Sequence, residues 1–440
     1  MLSRLLRGGP FVENGAQFML SAAREYGDLV AYTTFGRTVF QLNHPDLIAD
    51  VFLKDSVHHH RNLVMQKGRE VLGHGLLTSE EPLHMRQRRL AQPAFLRDRI
   101  AAYGSVIGAK TVEMTSRWLP GPADLHPEML ELALRIVGKC LFDLDELDDV
   151  NRVALAVDSF MSFLPLSFLP FSSTIQRLPI PAMRRLRRSK LFLDELIYTM
   201  IAARRADGRD RGDLLSMLLN ATDDGAVMSD TQLHDECVTI ILAGHETTAN
   251  ALSFALDLLG RHPAIQQRLA QESRDVLGSS IPSAEHYPRL PFATAVFAEA
   301  MRLYPPVWVT ARTCAQEYEI AGFRIPVGAS ILAPQFAVHR DPRFWPDPER
   351  FDPERFTPEA KAARPRYSYF PFAGGSRQCI AEGLAWMEGT LALAAILRDW
   401  TLHVPATTPP LKLKPAVSLR PAAGVKVTLE RRNPHDPTRN

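Results

Sequence analysis

The stretch Met228 to His262 constrains this chain more than any other. Ser229 followed by Gln232 has the spacing of a helix-capping box, and Gly260 with Pro263 supplies a stop. About thirty residues at 1.5 Å rise each predict a rod near 45 Å long. Such a helix crosses a whole domain, and the rest of the chain must pack around it. Its middle reads Ile240-Ile241-Leu242-Ala243-Gly244-His245-Glu246-Thr247-Thr248. The Thr247 hydroxyl is expected to turn back to the carbonyl of Ala243, four residues earlier, easing the backbone ladder and opening a groove. Gly244 is expected to leave room there for a small ligand. Read alone, the same letters describe a buried helix with a chance polar cluster.

A second constellation is Glu299-Ala300-Met301-Arg302, on a helix that starts after Pro291 and must stop before Pro305-Pro306. The i, i+3 spacing puts carboxylate and guanidinium on one face. Isolated pairs of this kind are ordinary surface ion pairs. Here Val296, Phe297, Ala300 and Leu303 surround it, so burial is expected, with Arg355 as a further partner for the carboxylate.

The third is Phe372-Ala373-Gly374-Gly375-Ser376-Arg377-Gln378-Cys379-Ile380-Ala381, followed by an apolar helix from Leu384 to Leu397. A lone cysteine before a helix is usually a small buried hydrophobe. Two glycines allow a tight loop around this one, and the N-terminus of the following helix offers amide donors that favour a thiolate.

Around these signals the chain reads as mainly α with small β-sheets, one large domain over residues 1–430 and a polar tail over 431–440. Leu29 to Thr34 and Thr38 to Leu42, flanking Phe35-Gly36-Arg37, predict a hairpin, with a helix from His44. Helices are expected over 85–118 and over 190–205, the latter following the basic run Arg184 to Lys190. A net charge of only +2 argues against nucleic acid as the main partner. Four widely spaced cysteines, without a C-x-x-C pair, suit reduced thiols in a cytoplasm. No apolar run approaches the length of a membrane span, so neither a membrane anchor nor a signal peptide is expected.

The Cys379 loop resembles the cysteine-ligand signature of the cytochrome P450 family, F-x-x-G-x-R-x-C-x-G, with Phe372, Gly375, Arg377 and Cys379 in place and Ala381 where the last glycine stands. Glu299 and Arg302 match the family's E-x-x-R pair, Arg355 its third member, and Ala243 to Thr248 its oxygen-activating helix. The resemblance implies a single-domain fold with the long helix over a haem b, whose iron Cys379 would hold as axial ligand. It implies a cytoplasmic monooxygenase, an oxidoreductase of secondary metabolism, that takes O2 and two electrons from a ferredoxin or flavodoxin-type donor with its reductase. By the same likeness Thr247 and Glu246 would handle oxygen and protons, and Ala243 and Gly244 would lie against the haem. His84, Arg88, Arg312 and Arg377 would bind its propionates. The basic helix of Arg86, Arg88, Arg89, Arg97 and Arg99 would offer part of a docking face.

By family position the pocket would draw on Leu76, Leu77, Phe163, Ile240, Ala243, Val307, Trp308, Val309 and Val417, with Phe160, Leu164 and Phe168 nearby. This apolar set favours a lipophilic terpenoid or steroid-like molecule. A fatty acid, its carboxylate held by Arg420 or a loop arginine, is the rival within the family, and a non-catalytic haem-thiolate gas sensor the rival outside it. The chain is expected to act as a monomer.

Overall fold

The computed structural model describes residues 9–34, 36–54, 58–144, 152–157, 159, 180–223 and 225–432. The helices that build the site are α1 (Pro45–Leu53), α2 (Leu83–Ala91), α3 (Arg97–Ser116), α4 (Leu125–Phe142), α5 (Pro181–Asp207), α6 (Asp230–Arg261), α7 (Pro263–Leu277), α8 (Pro291–Leu303) and α9 (Glu382–Asp399).

The central rod is α6, 32 residues long. Its start is the predicted one: the Ser229 hydroxyl accepts from the Gln232 amide at 3.2 Å. Its end differs in cause, because Gly260 lies inside the helix. A Cβ there would fall 2.7 Å from Val404 Cγ2, so this glycine serves close packing. Leu233, Leu252, Leu256 and Leu259 of α6 are fully buried against residues such as Leu132 and Ile136 of α4 and Leu391 and Leu393 of α9. Each such side chain contributes about 1.5–3 kcal/mol of transfer free energy, which fixes the rod at the centre of the core.

Two sequence expectations are corrected. The helix expected over 85–118 is broken: α2 ends at Ala91, a 3-10 turn covers Gln92–Phe95, and α3 begins at Arg97 after an extended Leu96. Pro93 is the reason, since it carries no amide for the ladder and its ring crowds the preceding turn. The basic run Arg184 to Lys190 does not precede a helix but lies within α5, which starts at Pro181 as an N-terminal proline.

The strands sit at the edges. A five-stranded sheet runs in the order Leu29–Thr34, Arg37–Leu42, Ser330–Ala333, Thr310–Cys314, His59–Arg61. The first two form the predicted hairpin, and the second and third are parallel. A three-stranded sheet joins Trp400–His403, Lys426–Arg431 and Gly121–Asp124. Order extends past residue 430: the Arg432 guanidinium donates to the Trp400 carbonyl and to Gln267. A hairpin of Leu413–Pro415 and Leu419–Pro421 returns to lie on α6. Among the described residues no helix is long and apolar enough to cross a membrane.

Candidate active site

The turn that carries Cys379 is made by close approach. Ala373 (φ 59°) and Gly375 (φ 71°) both take left-handed backbone, and a Cβ at Gly375 would stand 2.1 Å from the Phe52 carbonyl oxygen of α1. Only glycine fits. The Cys379 amide donates to the Phe372 carbonyl at 3.0 Å, and the Phe372 ring meets Trp386 of α9 edge-on at 5.4 Å. Ala381, where the family signature has glycine, caps α9 at an ordinary φ of −94°, so its methyl meets no backbone penalty.

The thiol so held is solvent-accessible yet enclosed by protein, which places it on an internal space. Burial pushes its pKa up to about 11, against weaker opposing pulls from the Ala381 amide and the Arg88 guanidinium. The helix end acts in the expected direction, since the Ala381 amide lowers the thiol pKa, but desolvation outweighs it. Cys140, Cys237 and Cys314 are buried and unpaired.

On α6 the residues Leu233–Leu242 and Thr248–Gly260 are buried, but Ala243 is exposed and Gly244 and Thr247 are half-exposed. An opening in the middle of a buried rod marks a cavity face. The Thr247 hydroxyl donates to the Ala243 carbonyl at 2.7 Å, as the spacing predicts, and the helix runs unbroken through it. The space at Gly244 is used otherwise than expected. A Cβ there would lie 2.9 Å from Val137 Cγ2, so its smallness lets α4 close on α6.

Glu246 is nearly buried, and one oxygen lies 3.5 Å from Arg420 Nη1. One turn on, Asn250 Nδ2 donates to the Ser418 hydroxyl at 3.2 Å. The 413–421 hairpin is therefore fastened to the rod beside the opening, and Arg420, considered above for a substrate carboxylate, faces an acid of the protein.

Arg88 and Arg377 tie the Cys379 turn to neighbouring segments, and His84 and Arg312 lie beside other cations of those segments. Arg88 Nη1 donates to the Gln378 carbonyl at 2.7 Å and Arg377 Nη1 to the Ser79 carbonyl at 2.7 Å. His84 is buried with its Nδ1 2.9 Å from Glu81. Burial and the Arg377 charge together drive its pKa down to about 4 despite that carboxylate. Arg312 is buried opposite Arg61 in the strand register, and Arg61 Nη2 donates to the Leu76 carbonyl at 3.3 Å. Glu80 and Glu81, absent from the sequence expectations, lie among these cations: Arg69 reaches Glu80 at 3.0 Å and Arg377 reaches both acids, at 3.4 and 3.8 Å. On α2, Arg86 and Arg89 both pair with Asp223, so part of that basic face is spent within the chain.

The apolar set divides. Leu77, Val309 and Val417 are half-buried and Val307 is exposed, while Leu76 and Ile240 are buried. Trp308 packs in a core cluster with Met19, Val39 and Phe254, and its indole donates to the Ala416 carbonyl at 2.9 Å. Phe160, Phe163, Leu164 and Phe168 lie outside the described residues.

Glu299 and Arg302 are both fully buried. The guanidinium gives two hydrogen bonds to the carboxylate, at 2.6 and 2.8 Å, and three more to the carbonyls of His339, Pro348 and Arg350. The carboxylate also takes the Asp352 amide at 2.9 Å and lies 3.5 Å from Arg355. The surface-pair alternative is excluded by this geometry.

Two acids went unnoticed in the sequence. The Asp235 carboxylate accepts from the His74 amide at 2.7 Å, and Glu236 from the Leu76 amide at 2.9 Å. The available signal was the pair Gly73 and Gly75, each standing just before a bonded amide.

A family model described as cytochrome P450 matches residues 6–429 of the chain. Cyclooctatin synthase of Streptomyces melanosporofaciens is 38% identical over 92% of this chain and 89% of its own length. Pentalenene oxygenase of Streptomyces avermitilis is 34% identical over 94% and 90%. Cyclooctat-9-en-7-ol 5-monooxygenase, also of Streptomyces melanosporofaciens, is 35% identical over 88% and 86%. Among solved structures, the haem domain of cytochrome P450DA superposes with a TM-score of 0.85 at 27% identity, covering 99% of this chain and 96% of that one.

Proposed function

The chain belongs to the cytochrome P450 family and is a monooxygenase, and from that premise we propose that it oxidises an unactivated C–H bond of a neutral, lipophilic terpenoid or steroid-like molecule. The observation that carries this reading is the pairing of an accessible, enclosed thiol at Cys379 with the opening at Ala243, Gly244 and Thr247 in an otherwise buried rod. The donor set fits a haem b: a lone thiol on one side, an open helix face on the other, and His84, Arg88, Arg312 and Arg377 for two propionates. When bound, the haem supplies reductive activation of O2 and delivery of one oxygen atom to carbon.

The chain's own residues supply the rest. Cys379 would hold the iron as its thiolate ligand. The tight turn on Phe52 fixes where that sulfur points. Thr247, bonded to the Ala243 carbonyl, keeps a hydroxyl at the opening, and Glu246, held by Arg420, passes protons inward from the hairpin side. Electrons come from a separate ferredoxin or flavodoxin-type donor with its reductase. The protein works as a cytoplasmic monomer.

Support for the substrate class comes from the apolar wall and from the relatives, whose names specify an olefin and an unsaturated alcohol. A fatty acid is disfavoured because Arg420, one of the cations considered for its carboxylate, already faces Glu246. The test is the reduced–CO difference spectrum, expected to give the Soret band for which the family is named and to lose it in Cys379→Ala, followed by spin-state titration with neutral terpenes and fatty acids. A wild-type protein lacking that band, or tighter binding of the fatty acids, overturns the reading.

A further inference from the structure

We infer that Asp235 and Glu236 form an acidic dock on α6 that sets the position of the loop Gly73–Ser79, and so act as specificity-determining positioning residues for the site proposed above. The inference rests on the proposed location of the cavity.

The dock is built from backbone amides. Asp235 accepts from the His74 amide at 2.7 Å and Glu236 from the Leu76 amide at 2.9 Å. Neither contact reads a side chain of the loop. Two glycines permit the approach: a Cβ at Gly73 would fall 2.1 Å from the Asp235 carboxylate, and one at Gly75 would fall 2.2 Å from Thr239 Oγ1. The loop is then closed on itself, with the Thr78 hydroxyl donating to the Gly73 carbonyl at 2.7 Å.

Helical geometry puts this dock on the cavity face. Residues 236, 239, 243 and 247 follow at intervals of three or four, so they line one side of α6, and Glu236 stands about 10 Å along the axis from Ala243. The docked loop therefore walls the opening at its N-terminal end. Leu76 and Leu77 are its apolar residues, and its far end accepts Arg377 from the Cys379 turn at Ser79. A shift of the loop moves the wall and one cation together.

The dock is also tied to α5. The second Asp235 oxygen lies 3.1 Å from His234 Nδ1, and His234 Nε2 lies 2.9 Å from Asp194 of α5. Tyr198 of α5 stacks on the His234 ring at 4.8 Å. Glu236 differs from its neighbour: it is fully buried, its other oxygen has no partner among the described residues, and burial lifts its pKa to about 8. A neutral amide should therefore replace it, whereas an alkyl group should not.

The test uses the haem-loaded protein with two readouts. Amide hydrogen exchange over residues 73–79 should quicken about tenfold or more in Asp235→Ala and Glu236→Ala, as expected for losing a hydrogen bond to a carboxyl group, and return toward wild type in Glu236→Gln. Binding of 4-phenylimidazole, followed by its Soret shift, should change several-fold more than binding of imidazole, because only the larger probe reaches the wall. Unchanged exchange in both alanine variants overturns the dock, and freed exchange with equal effects on both probes overturns its role in specificity. Failure of the family reading would appear separately, as a missing reduced–CO band in the wild type.

Discussion

Arg420 Nη1 lies 3.5 Å from the carboxylate of Glu246, and it brings to the rod a cation from a hairpin about 170 residues downstream. The guanidinium holds that carboxylate beside the opening at Ala243 and Thr247. Arg420→Gln is expected to lower turnover about tenfold with the reduced–CO spectrum unchanged, and Glu246→Gln to lower it further, toward the hundredfold typical of a lost proton relay. Product formed per electron consumed checks this. Equal turnover in Arg420→Gln would separate the arginine from the reaction.

The Glu299 and Arg302 pair supports a stability prediction. All five guanidinium donors are used, so Arg302→Leu leaves the Glu299 charge buried with only Arg355 near it and should destabilise by about 3–5 kcal/mol. Arg302→Lys should recover little, since an ammonium cannot reproduce the planar fork. Chemical unfolding and haem retention measure both.

Glycines around Cys379 differ in what they tolerate. Gly375→Ala forces a Cβ against the Phe52 carbonyl at a positive φ and should cost at least about 2 kcal/mol, with loss of the thiolate spectrum. Ala381→Gly, at an ordinary φ, should change stability by less than about 1 kcal/mol. Thermal melts and the reduced–CO band distinguish the two.

Glu388 in α9 makes the folded state pH-sensitive. It is buried with one oxygen unpartnered among the described residues, and burial lifts its pKa from 4.5 to about 8. A raised carboxyl favours folding fully below pH 4.5, where both states are protonated. That advantage fades as pH rises from 4.5 to about 8, because the unfolded chain ionises first. Glu388→Gln, permanently neutral, should flatten this decline and be more stable than wild type at pH 8, on the order of a few kcal/mol. Urea midpoints at pH 5, 6.5 and 8 provide the measurement.

Much of this was legible because it rests on local spacing. Ser229 with Gln232, the Thr247 bond to Ala243 and the pairing of Glu299 with Arg302 all involve residues within a few positions of one another. What escaped depends on distant surfaces. Gly244 and Gly260 have their meaning in Val137 and Val404, and Trp308 in a cluster drawn from both ends of the chain. The direction of the Cys379 pKa depends on how much protein surrounds the sulfur, which no neighbouring letter reports. The partners of Asp235 and Glu236 are amides about 160 residues away, and an amide leaves no mark in a sequence.

That last property has an evolutionary reading. Because α6 grips the loop at the His74 and Leu76 nitrogens, any residue except proline at either position keeps the grip. The wall can be re-lettered at His74, Leu76 and Leu77 while its place is kept, so descendants of this chain can exchange one hydrophobic guest for another without rebuilding the room.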